Sequence, residues 1–105
     1  MGKPDTRRLD RAIRETNRKL EAVRNREMWP LDGRERRAVL GALAGGSYRI
    51  VRGDSPARAE RQLDTAWQSA ETRLVAEIAA MHTERQRIVN EAATARAAQK
   101  SSRWW

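Results

Sequence analysis

The chain has 105 residues, 22 Lys and Arg against 14 Asp and Glu, a formal net charge of +8 and no cysteine. That length allows one domain of roughly 100 residues, and a hydrophobic share of 39% limits it to a small core. The lack of cysteine excludes a disulfide scaffold and a thiol nucleophile, and the single histidine, His82, excludes histidine-rich zinc sites.

The start, Met1-Gly2-Lys3-Pro4-Asp5, is polar and opens no apolar run of the secretory kind. No stretch of about 18 apolar residues exists to span a membrane, so we expect a cytoplasmic protein. Gly2 with Thr6 matches the short myristoylation pattern only formally. Arginine dominates the basic residues, 19 against 3 lysines, and there are 17 alanines; both types favour helix.

Asp5 is placed to cap a first helix over about residues 6–27. At 100° per residue, Leu9, Ile13, Thr16, Leu20 and Val23 fall within an arc of about 80°, with Arg7, Arg11, Arg14 and Arg18 opposite. Glu27 interrupts that apolar stripe. Met28-Trp29-Pro30-Leu31 ends the helix, because Pro30 disfavours helical geometry at Trp29. Asp32 with Glu35 forms a capping box for a second helix over about 33–52, with Val39, Leu40 and Leu43 as its apolar face. Gly45-Gly46 weakens or kinks this helix, and Gly53 stops it.

Asp54-Ser55-Pro56 is a strong start for a third helix over about 56–99. Leu63, Trp67, Ala70, Leu74, Ile78, Met81, Ile88, Ala92 and Ala95 share one face at spacings suited to a nearly straight helix, with Arg85 as the one interruption. The expected fold is all-α: two shorter helices packed on one long helix whose C-terminal half protrudes. Residues 1–99 form the domain, and 100–105 a flexible basic tail ending in Trp104 and Trp105.

A first helix of about 33 Å and a second of about 30 Å cover only half of a third helix of about 66 Å. The stripe beyond Met81 then needs a partner. Self-association, as a dimer, ranks first and a hairpin break within the helix second; a foreign partner protein is the third solution. The hairpin break falls at His82-Thr83, where Thr83-x-x-Gln86 resembles a capping box. Met81, Arg85, Ile88, Ala92, Ala95, Trp104 and Trp105 are the candidate partner contacts. In an up-down-up bundle Arg85 lies near the far end of the first helix, where Glu27 offers an opposite charge.

Charge divides unevenly: residues 1–37 carry +5, 38–53 carry +2 and 54–99 carry −1. The candidate anion or nucleic-acid contacts are therefore Arg7, Arg11, Arg14 and Arg18, weighed against a solvated face with i,i+3 and i,i+4 pairs to Asp10, Glu15 and Glu21. Residues 38–54 match a helix-turn-helix poorly, since Gly53-Asp54-Ser55-Pro56 cuts off the recognition helix. Gly41-x-x-x-Gly45-Gly46-Ser47 lacks the lysine and strand of a phosphate loop and fits close helix packing or a bend better. His82 with Glu77, Glu84 and Glu91 has no Glu-x-x-His spacing. Trp67 is core and Trp29 anchors the first corner.

With no nucleophile–base pair, metal spacing or phosphate loop, we expect no enzymatic activity and no cofactor. The expected role is an interaction or assembly protein that self-associates or binds a partner through its long helix, its basic half touching an anionic partner. The alternative is a small basic nucleic-acid-binding accessory protein.

Overall fold

The computed structural model describes residues 4–51, 53 and 57–103, without the side chains of 47–51 and 103. Three helices follow in order: α1 (Arg7–Arg24), α2 (Gly33–Val51) and α3 (Ala57–Arg103). The two shorter ones pack on the long one, as their stripes require. Gly2, Asp54-Ser55-Pro56, Trp104 and Trp105 lie outside the described residues.

At the start of α1 the cap differs from expectation. Thr6 is the N-cap residue and makes no capping bond; its hydroxyl donates to Asp10 Oδ2 at 2.9 Å. Asp5 Oδ1 instead accepts the Arg7 N–H at 3.1 Å. The apolar stripe behaves as read: Ile13, Thr16, Leu20 and Val23 are buried. Thr16 occupies an apolar position because its hydroxyl donates to the Ala12 carbonyl at 2.8 Å, leaving only its methyl to pack.

The helix ends three residues earlier than its periodicity implies. Glu27 N–H donates to the Ala22 carbonyl at 2.8 Å and Arg26 N–H to the Val23 carbonyl at 2.9 Å. This is a Schellman motif with an arginine, at φ 62°, in the left-handed position usually held by glycine. Glu27 is therefore an exposed residue beyond the helix, not a charge within its buried face.

The capping box of α2 is complete. Glu35 N–H donates to Asp32 Oδ1 at 2.8 Å, and Asp32 N–H donates to Glu35 Oε1 at 3.0 Å. The helix runs through Gly45 and Gly46 without a break, and Gly53 follows at φ +83°. Gly46 explains part of the pair: a Cβ there would sit 3.0 Å from Ala59 Cβ on α3, so the glycine permits close helix packing. The side of α2 against α3 is Glu35, Val39, Ala42 and Gly46. Leu40 and Leu43 are about half exposed, because Leu40 is turned some 100° and Leu43 some 40° from Val39 around the helix.

Helix α3 is one continuous helix, as expected, from Ala57 to Arg103 and so past the expected end at 99; the alternative break at His82-Thr83 does not occur. Thr83 donates back to the Ala79 carbonyl at 3.0 Å and Gln86 to Asn90 at 2.9 Å, which uses up both halves of the supposed capping box.

The topology departs from an up-down-up bundle. Arg24 meets Glu71 and Arg85 meets Asp10, so α1 runs antiparallel to α3. Glu35 meets Arg73 and Gly46 meets Ala59, so α2 is antiparallel to α3 as well. The two short helices lie end to end on one side of α3. Thin apolar stripes cause this: each short helix can serve one neighbour, whereas a bundle asks each to serve two. The core sits at the joint, where Leu20, Val23, Leu31 and Val39 close over Ala66, Trp67, Ala70 and Leu74.

The result is a rod of 82 × 18 × 18 Å with a radius of gyration of 22.1 Å. A compact domain of this length has about 13 Å. In-line stacking also extends cover along α3. Met81, Ile88 and Ala92 are half-buried on the side that carries α1, and Pro4 and Thr6 reach the level of Val89, Ala92 and Arg96.

Candidate interaction surfaces

Two long surfaces flank the thin core. On the outer side of α1, Arg7, Arg11, Arg14 and Arg18 are all exposed and form one ridge opposite the buried stripe. Arg18 pairs with Glu15 at 3.5 Å; among the described residues Arg7 and Arg11 make no ion pair. Arg34 and Arg37 are exposed on α2, about 140° and 160° around the helix from Val39, and so continue the same side of the rod.

Several carboxylates of the short helices are drawn inward, away from that ridge. Asp10 Oδ1 accepts a hydrogen bond from Arg85 Nε at 2.8 Å. That bond, together with the one from Thr6, holds the Asp10 carboxyl below its ordinary range. The pairing corrects the expected Glu27–Arg85 contact: α1 is antiparallel to α3, so its N-terminal end lies beside Arg85. Glu35 is buried and receives a fork from Arg73, Nε to Oε2 at 2.7 Å and Nη2 to Oε1 at 2.9 Å. Arg73 also donates to the Pro30 carbonyl at 3.2 Å and to Glu77 at 2.9 Å. The bonds to Glu35, and then to Glu77, raise the affinity of this guanidinium for its proton.

Arg73 was not distinguished by sequence, being one basic residue among 22. The available signal was Glu35 itself, four residues before Val39 and therefore on the stripe that turns to α3.

The second surface is the side of α3 directed away from α1 and α2. At 100° per residue, no charged side chain from residue 62 to 101 falls within about 50° of its midline. One residue in three of the chain is charged, 34%, so a charge-free exposed face is a strong departure. Thr65, Gln68, Thr72, Thr83, Gln86 and Asn90 mark it, with Val75 44% exposed among them. Much of its polarity is satisfied within the helix: Thr65 donates to the Arg61 carbonyl at 2.8 Å, and Thr83, Gln86 and Asn90 are bonded as above.

The residues expected to meet a partner are divided by the fold. Met81, Ile88 and Ala92 turn toward α1, Arg85 is bonded to Asp10, and Ala95 is exposed. The charges near His82 serve other bonds: Glu77 faces Arg73, while Glu84 and Glu91 both face Arg87. Among the described residues no group of three or more His, Asp or Glu side chains is placed to hold a metal ion, and no helix is long and apolar enough to cross a membrane.

Trp67 is buried, and the Arg26 guanidinium lies over its ring at 5.5 Å. Trp29 is half exposed and borders a depression with Arg18, Ala22 and Asn25. Comparison with protein-family models, curated proteins and solved structures finds no match to this chain.

Proposed function

We propose that this chain is a non-enzymatic assembly protein that associates with a second copy of itself through the outward side of α3, its basic side left free for an anionic partner. The observation that carries the reading is the charge-free side of α3, exposed from Thr65 to Ser101, about 54 Å by helical rise. A strip of that length and roughly one helix wide offers about 600 Å² per chain, or about 1,200 Å² for a pair, the lower bound of stable interfaces. Burial there desolvates no charged side chain, and Thr65, Thr83 and Gln86 already donate within the helix.

Surface area adds support. The chain exposes 8131 Å², against about 6,000 Å² for a compact monomer of 12.0 kDa. Association is the general means by which such a rod reduces its solvated surface. Sedimentation velocity of the full chain over a range of about 1–200 µM tests the reading. A concentration-dependent dimer is expected, and a monomer throughout contradicts it.

A further inference from the structure

We infer that the arginine ridge of α1 and α2 is a docking surface for the phosphate backbone of a nucleic-acid duplex. This rests on the reading above only in taking the basic side as free. Arg7, Arg11, Arg14 and Arg18 are exposed along about 16.5 Å of α1, and Arg34 and Arg37 carry the same side onto α2. The inward salt bridges sharpen this ridge. Asp10 is held by Arg85 and Glu35 by Arg73, so arginines on α3 neutralise acids of the short helices and leave the outer guanidinium groups to solvent. The carboxylates that remain near the ridge are Glu15, which faces Arg18 at 3.5 Å, and Glu21 and Glu27, which border the same depression as Arg18.

Shape selects among polyanions. The ridge is the convex crest of one helix, with Arg8 and Lys19 on its flank. A convex crest of this kind can lie along one phosphate row of a duplex, with Arg8 and Lys19 turned toward the groove. A flat anionic bilayer meets only the crest. It gains no insertion either, because Ile13, Leu20 and Val23 are buried on the opposite side. Guanidinium groups suit phosphate because each can donate two parallel hydrogen bonds. Contacts of this kind position a protein on a duplex without reading its sequence.

The test is fluorescence anisotropy of the full chain with a labelled random-sequence duplex, titrated across salt concentration. Binding is expected at low salt, with log K falling linearly in log salt at about −0.9 per phosphate contacted. Replacing Arg7, Arg11, Arg14 and Arg18 together by Gln, with helicity checked by circular dichroism, should reduce that slope by about 3–4. Replacing Arg58, Arg61, Arg96 and Lys100 by Gln removes equal charge from α3 and should leave the slope nearly unchanged. Three results overturn the inference: no duplex binding at low salt, equal losses in the two quadruple variants, or binding to phosphatidylserine-containing vesicles but not to duplex. Sedimentation of the same samples separates the two readings. A chain that dimerises without binding duplex removes only the ridge, and one that binds as a monomer removes only the assembly.

Discussion

Arg85 donates to Asp10 at 2.8 Å across 75 positions of sequence, a contact that only an α1 antiparallel to α3 can make. It makes the register sensitive to acid. Its hydrogen bonds, from Arg85 first and then Thr6, lower the pKa of the Asp10 carboxyl on folding. A carboxyl depressed in the folded state contributes stability above its unfolded value, near 4, and loses it as pH falls through the lower folded value. Asp10→Asn should therefore lower thermal stability at neutral pH, change it little in acid below the folded value, and so flatten the acid limb. A pH series of melting curves reads this; an unaltered acid limb refutes the assignment.

Glu35 carries two duties, closing the capping box of α2 and receiving the Arg73 fork. Glu35→Ala should cost about 2–3 kcal/mol, combining about 1 for the cap with a charged hydrogen bond discounted for the partial exposure of Arg73. Glu35→Gln should recover much of the cap and less of the fork. A double-mutant cycle with Arg73→Ala in urea melts should give a coupling above about 0.5 kcal/mol, and strict additivity would show that the fork contributes nothing.

Adjacent glycines in α2 should respond with opposite signs. A Cβ at Gly45 meets nothing within 4 Å, whereas one at Gly46 lies 3.0 Å from Ala59 Cβ. Gly45→Ala should raise stability by about 0.5–1 kcal/mol through helix propensity. Gly46→Val should lower it by about 1–3 kcal/mol by forcing α2 off α3. Melting temperatures should move apart accordingly, since each kcal/mol is worth about 4–8 °C at this size. Equal shifts would contradict the close approach at Ala59.

Arg26 holds a left-handed φ of 62° while its guanidinium covers Trp67 at 5.5 Å. The backbone costs about 1–2 kcal/mol and an exposed cation–π contact returns about 0.5–1. Arg26→Gly should be close to neutral, relieving the strain as it loses the contact. Arg26→Ala loses the contact and keeps the strain, so it should melt lower than the glycine variant. The reverse order would refute the Schellman assignment.

These residues show what was legible in sequence. The stripe from Leu9 to Val23, the Asp32–Glu35 box and the glycine stop at Gly53 are local signals, and each sits where periodicity or turn chemistry puts it. Periodicity identifies the face a helix buries but not the neighbour it is buried against. The end-to-end order of α1 and α2, and with it the partner of Arg85, therefore emerged only in three dimensions. Glu27 falls on the apolar stripe and Asp10 beside it, yet the antiparallel run of α1 brings Asp10 to Arg85, and the Schellman turn at Arg26 takes Glu27 out of the helix. The outward side of α3 was hidden for another reason: attention to apolar spacing passes over a face defined by the absence of charge.

The proposed pairing of two copies rests on this charge-free side of α3. Sedimentation equilibrium of the full chain beside Thr72→Glu/Thr83→Glu, with Ala95→Glu as a control off that face, tests it most directly. The wild type should sediment at twice 12.0 kDa, the double variant at the mass of a single chain, and the control as the wild type does. A wild-type monomer, or a double variant that dimerises as the wild type does, would contradict it.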